Sequence, residues 1–143
     1  MEAIVGLHKL EQTLKQLEKV PQRIVTKSSR KGASVVYKQA KKDAPVDQGN
    51  LKKGIKIVAE KTRTKGKKVY QITMNRQMNN VFVKQSSTGK RAYYPASQEY
   101  GFFTKNGRYI PGFNYLRGSN ASKRQEAQQI IVKTAQAEVD KIL

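Results

Sequence analysis

Five cations fall within eight residues, Lys61, Arg63, Lys65, Lys67 and Lys68, and such a run does electrostatic work, not covalent work. Side chains spaced this way contact phosphates without regard to base sequence, with an affinity that falls steeply as salt rises. The same charges can instead dock on an acidic protein face, where they guide encounter and register more than they add affinity. From Lys52 to Arg91 the chain carries 12 Lys and Arg and one acid, Glu60, so Lys84, Lys90 and Arg91 join the candidates for contact with DNA or a protein partner. Over all 143 residues, 29 Lys and Arg stand against 10 Asp and Glu, a formal charge of +19. That field attracts polyanions or acidic surfaces. A highly soluble basic protein with no nucleic-acid role would have the same composition.

Residues able to do covalent chemistry are scarce. There is no cysteine, which removes disulfides, thiolate metal sites and thiol nucleophiles. The single histidine, His8, sits in a helix-like stretch and reads as an ordinary surface position. Ser87-Thr88-Gly89-Lys90 has the composition of the end of a phosphate-binding loop, but Lys84 stands where the earlier glycine is required and Arg91 where Ser or Thr is required. A metal-dependent nuclease needs clustered carboxylates, and the central region offers Asp43, Asp47, Glu60 and Glu99, far apart in sequence. No catalytic residue, metal or cofactor is expected, and an enzyme is the weakest reading. Eight of the eleven aromatics lie between Tyr93 and Tyr115, interleaved with Lys90, Arg91, Lys105 and Arg108. They could stack on single-stranded bases, but the expectation is that Tyr100 and Phe113 pack a short helix and a hairpin against a sheet.

The elements that must position these residues follow from periodicity. Ile4, Leu7, Leu10, Leu14 and Leu17 recur at spacings of three and four, which predicts an amphipathic helix over 3–19. Pro21 ends it and opens a second helix with the stripe Ile24, Val25, Gly32, Val36 and Ala40, closed by Lys38, Lys41 and Lys42. Ile55, Ile57 and Ala59, then Val69, Gln71 and Thr73, alternate with polar residues, as two antiparallel strands joined by the basic tip. A third short strand is expected over 81–83, followed by a mobile loop over 85–90. Asn106-Gly107 marks a smaller hairpin over 102–110, since both residues accept positive φ. Ser119 and Asn120 offer capping oxygens to a final helix of about 20 residues with Ala127, Ile130, Ile131, Ala135, Val139 and Ile142 on its apolar stripe. The class is α+β, an antiparallel sheet with N-terminal helices and a C-terminal helix packed on it. The length suits a single domain over 1–143, divided into an N-terminal helix (1–20), a core (21–117) and a C-terminal helix (118–143). No apolar run approaches the ~18 to 20 residues a bilayer span needs, so the expectation is a soluble, non-secreted protein without a membrane partner.

Three stretches carry more than periodicity. In Ala44-Pro45-Val46-Asp47-Gln48-Gly49-Asn50-Leu51 the proline stops a helix, Asp47 can bond backbone N–H groups, and Gly49 permits an angle other residues resist. The second stretch is Tyr93-Tyr94-Pro95-Ala96-Ser97-Gln98-Glu99-Tyr100-Gly101, and the third is Pro111-Gly112-Phe113-Asn114-Tyr115-Leu116-Arg117. In order and spacing they resemble the tail-completion or head–tail joining proteins of tailed bacteriophages. That family shows Ala-Pro-x-Asp-Thr-Gly-x-Leu, then Tyr-x-x-x-x-Glu-Tyr-Gly, then Pro-Phe-Leu-Arg before a final helix. The matching positions are Ala44, Pro45, Asp47, Gly49, Leu51, Tyr94, Glu99, Tyr100, Gly101, Pro111, Phe113, Leu116 and Arg117. Gln48 replaces threonine, Gly54 replaces a small polar residue, and the Pro-Phe-Leu-Arg segment is lengthened.

The resemblance implies a structural, non-enzymatic subunit of the phage neck that assembles as a six-fold ring around the DNA channel. Its partners would be head-closure or connector proteins and the tail tube or tail terminator, and sequence-independent contact with genomic DNA would be possible. Its place would be the virion, after assembly in the host cytoplasm. The alternative is a basic nucleic-acid-binding module with no virion role. Glu99 should pair with a Lys or Arg that the sequence does not identify.

Overall fold

The computed structural model describes the backbone of residues 2–85 and 89–142, and side chains from Pro21 onward within those ranges. The side chains of His8 and of the stripe Ile4, Leu7, Leu10, Leu14 and Leu17 lie outside the described residues, as do Ser86, Ser87 and Thr88 at the centre of the expected loop.

The first element is one continuous helix, α1 (Glu2–Asp43), with Pro21 inside it. The expected break is absent. Proline removes one i→i−4 bond and crowds the preceding turn, at a cost of about 3 kcal/mol in a helix interior. Packing offsets that cost: from Ser28 onward α1 buries Ser28, Gly32, Val36 and Ala40, one residue every fourth position, against the final helix α5 (Tyr115–Asp140). The two run antiparallel, since Lys27 meets Glu138 and Gly32 lies against Ala127 and Ile131. A Cβ on Gly32 would stand 2.5 Å from the Ile131 side chain, so the close crossing requires glycine. The first helix thus ends at Asp43, and α5 begins at Tyr115.

Between the long helices come α2 (Asn50–Gly54), β1 (Ile55–Glu60), β2 (Val69–Met74), the 3-10 turn Arg76–Met78, α3 (Asn79–Phe82), β3 (Val83–Gln85), β4 (Arg91–Tyr93), α4 (Tyr94–Tyr100), β5 (Gly101–Phe103) and β6 (Tyr109–Pro111). The class is α+β, as expected. Its strands form three separate antiparallel ladders, β1–β2, β3–β4 and β5–β6. β1 and β2 pair from Ile55↔Met74 to Glu60↔Val69, which leaves 61–68 as the hairpin tip. The third strand starts later than expected because Val81 and Phe82 belong to α3, whose turn places Phe82 in the core at 0% exposure.

The core gathers Ala40, Ala44, Leu51, Ile55, Met74, Phe82 and Tyr115, which joins the end of α1 to α2, the β1–β2 ladder, α3 and the start of α5. Full burial of side chains as large as Leu51, Ile55 and Phe82 stabilises by about 1.5–3 kcal/mol each. Gly49, at φ 77°, precedes α2 in the left-handed region, the angle foreseen for that corner. The second hairpin turns through a three-residue loop, with Thr104 and Arg108 bonded across it. Gly107 takes the positive φ there and Asn106 does not, as in a type I turn closed by a left-handed residue.

Candidate functional site

The second and third sequence stretches meet in one clasp. Glu99 is 4% exposed, and its carboxylate accepts the backbone N–H groups of Leu116 at 2.8 Å and Arg117 at 3.0 Å. These are orphan donors in the first turn of α5, and an anionic acceptor suits the positive end of the helix dipole. The cap of α5 therefore comes from α4. Ser119, expected to cap the helix, is buried within it and donates to the Leu116 carbonyl at 2.8 Å, while Asn120 is exposed in the second turn. The ion partner of Glu99 is Arg117, whose Nε lies at 3.8 Å.

The backbone closes the same joint. Phe113 N–H donates to the Gln98 carbonyl at 2.7 Å and Asn114 N–H to the Glu99 carbonyl at 3.1 Å. A Cβ on Gly112 would stand 2.3 Å from the Glu99 carbonyl oxygen, so no side chain fits between the two segments. Tyr115 is fully buried and donates its hydroxyl to the Pro95 carbonyl at 3.0 Å. Burial, and after it the nearby Glu99 carboxylate, push the Tyr115 hydroxyl well above the ordinary tyrosine range.

The clasp ties together the two ends of the β5–β6 hairpin. Tyr100, Phe102, Phe103, Tyr109 and Phe113 are 43–73% exposed. This reverses the expectation that Tyr100 and Phe113 pack inward: among the described residues β5–β6 is a two-stranded ladder with no third strand bonded to it, and both side chains are exposed. Instead the Arg117 guanidinium lies over the Tyr100 ring at 4.6 Å, Tyr109 donates to the Tyr100 carbonyl at 2.6 Å, and Phe103 tilts against Tyr109 at 5.2 Å. The hairpin exposes these aromatic rings beside the cations Lys105 and Arg108 at its turn.

The basic residues fall into two groups. Lys61, Arg63, Lys65 and Lys67 are exposed on the β1–β2 tip, with Lys68 half-buried beside them. Lys84 and Arg91 lie on the β3–β4 ladder, with Lys84 over the Tyr94 ring at 5.9 Å and Lys90 exposed just before β4. The tip is tied to α1: the Gln22 side chain accepts from Gly66 N–H at 2.7 Å and donates to the Lys67 carbonyl at 3.3 Å. Beside this tether a cleft of about 670 Å³ is lined by Gln22, Arg23, Lys27, Arg30, Tyr70 and Lys141. Glu138 at its end bonds Lys27 and Lys141, which hold its carboxyl below the usual range. The α1 cations were not singled out from the sequence, although Arg23, Lys27 and Arg30 recur at the spacing of one helical face. Asp47 and Gln48 are exposed in the loop after α1, Pro45 and Gly49 are half-buried there, and Asn50 is half-buried at the start of α2.

Among the described residues no group of three or more His, Cys, Asp or Glu could hold a metal ion. No helix there is long and apolar enough to cross a membrane.

The model of the family described as "Bacteriophage HK97-gp10, putative tail-component" matches residues 8–101. That span contains both the Ala44–Leu51 and the Tyr93–Gly101 stretches; Pro111–Arg117 and α5 lie beyond it. No curated protein and no solved structure matches the chain.

Proposed function

The chain belongs to the HK97-gp10-like family of bacteriophage tail components, and from that premise we propose that it completes the phage tail and joins it to the DNA-filled head, as a six-fold ring around the DNA channel. The observation that carries this reading is the aromatic hairpin. A contiguous exposed apolar surface marks a protein contact, and aromatics are enriched where interfaces are fully buried. A hairpin already pinned by the Glu99 clasp loses little conformational freedom on docking. A ring subunit needs unlike patches for head-to-tail contact with its neighbours, and it needs further surfaces for a connector or head-closure protein on one side and the tail tube or terminator on the other. Assembly would take place in the host cytoplasm and the finished ring would reside in the virion.

The test is deletion of the gene from the phage that encodes it, with a plasmid copy as control and particles counted by negative-stain electron microscopy. Filled heads beside detached tails, restored to joined virions by the plasmid, are the expected result. Tails of abnormal length would move the assignment to tail termination. Normal yields of infectious virions without the gene would refute the neck reading.

A further inference from the structure

The cleft beside the basic hairpin is lined by four cations, Arg23, Lys27, Arg30 and Lys141, and its α1 wall has no role in the reading above. We propose that the hairpin tip and the middle of α1 form one site for the phosphodiester backbone of double-stranded DNA, with Gln22 as the positioning residue that holds the two halves together. The proposal deepens the neck reading by naming the surface that meets the DNA, and it rests on that reading only for the source of the duplex.

Three observations carry it. First, Arg23, Lys27 and Arg30 recur at i, i+4 and i+7 on α1, a row of about 10 Å at the helical rise. Duplex DNA presents about one charge per 1.7 Å of axis, so a row of that length meets several phosphates at once. Second, the row does not stand alone. Gln22 grips the tip through the Gly66 N–H and the Lys67 carbonyl, and Thr62 also donates to the Lys67 carbonyl, at 3.0 Å. Lys61, Arg63, Lys65, Lys67 and Lys68 are thus fixed to the helix that carries the row, and Lys141 closes the far end. The tip and the cleft lining together carry nine cations and, among the described residues, one carboxylate, Glu138, with Glu60 at the base of the tip. Third, the ring that could have offered a stacking face is occupied: Arg30 and Lys68 each lie 5.6 Å from the centroid of Tyr70. A site for single-stranded bases would present that face to the bases, and a protein partner would use it as an apolar pocket. Here it steadies two cations, which is what contact with phosphates needs.

Fluorescence anisotropy of the purified chain with a labelled short duplex of arbitrary sequence, titrated across salt concentrations, tests the site. The unmodified chain should bind with a log affinity that falls linearly with log salt. The double variant Arg23→Ala/Arg30→Ala should bind ~10-fold more weakly at low salt, with a slope shallower by about two, one per phosphate contact removed. Gln22→Ala changes no charge and should bind several-fold more weakly with the slope retained, because the tip must then be ordered on binding. Lys105→Ala/Arg108→Ala, with the same charge loss on the aromatic hairpin, should leave both quantities nearly unchanged. Three results would overturn the site: an equal loss in the Lys105/Arg108 variant, Gln22→Ala indistinguishable from the unmodified chain, or no duplex binding where a polyglutamate probe binds. Because the measurement needs no phage, failure here leaves the particle counts of the deletion experiment untouched, and failure there leaves these affinities standing.

Discussion

Replacing Glu99 by alanine should unfasten α5 from α4 before it does anything else. The carboxylate accepts two backbone N–H groups at 2.8 and 3.0 Å from a nearly inaccessible position. Bonds to a charged acceptor contribute about 1.5–3 kcal/mol each, and loss of a helix cap alone costs about 0.5–2 kcal/mol. Removing the carboxylate also relieves the cost of burying it, and the 3.8 Å approach of the exposed Arg117 adds little. The net loss should be about 2–4 kcal/mol, a large share of the 5–15 kcal/mol that holds an ordinary domain together. Urea denaturation followed by circular dichroism should show a lower midpoint with an unchanged slope. Hydrogen exchange should localise the defect, with the amides of Leu116 and Arg117 losing protection while those in the middle of α1 keep theirs. Glu99→Gln should fall between the two, since one amide oxygen cannot replace two carboxylate oxygens. If Glu99→Ala unfolds at the same urea concentration and exchanges at Leu116 and Arg117 no faster than the unmodified chain, the clasp does not hold the helix and the reasoning is refuted.

Gly112→Ala forces a Cβ to within 2.3 Å of the Glu99 carbonyl and should lower the thermal midpoint markedly in a melt followed by circular dichroism. Pro21→Ala restores a backbone donor at an exposed position inside α1 and should stabilise by about 1–3 kcal/mol, read as a higher urea midpoint; no change would mean the helix does not continue through residue 21 in solution. Phe103→Ser, at a position 73% exposed, should shift stability by no more than about 0.5 kcal/mol while reducing joined particles in the complementation assay. The raised Tyr115 hydroxyl makes stability pH-dependent: it is fully present below the ordinary tyrosine value of about 10 and is lost as pH rises above it, because the unfolded chain ionises first. Tyr115→Phe should flatten the fall in urea midpoint across that alkaline range, at a cost of about 1 kcal/mol for the lost bond to the Pro95 carbonyl.

Local signals in the sequence found local structure. The strands read from Ile55, Ile57 and Ala59 and from Val69, Gln71 and Thr73, the turn at Gly107, and the corner at Pro45 and Gly49 each depend on residues within a few positions of one another, and each element lies where its pattern places it. What escaped was set by distant partners. Pro21 reads as a stop because its local cost is known, whereas the packing that offsets the cost lies about a hundred residues away on α5. Ser119 has the chemistry of a cap, but a buried carboxylate twenty residues earlier takes that role. The one available signal was that Glu99 is the sole acid between Lys61 and Gln125. The aromatics of the second hairpin read as core because large rings usually fill one, and nothing local reveals that these stay exposed. Arg23, Lys27 and Arg30 were legible as a helical row, but their union with the tip depends on a Gln22 contact spanning 44 residues.

The pairing of α1 with α5 also constrains the order in which the chain can acquire its structure. Gly32 waits for Ile131, and Lys27 for Glu138, so the longest helix has its lasting partner only when nearly the whole polypeptide is available. Contacts this remote in sequence slow folding, because the loop between them must close before they contribute. On a ribosome adding roughly 5–20 residues per second, the part of the stripe around Gly32 would stay without its α5 partners Ala127 and Ile131 for several seconds after it emerged. A chain stopped short of Ala127 would lack the residues that Gly32 and Lys27 meet and would leave that part of α1 permanently open.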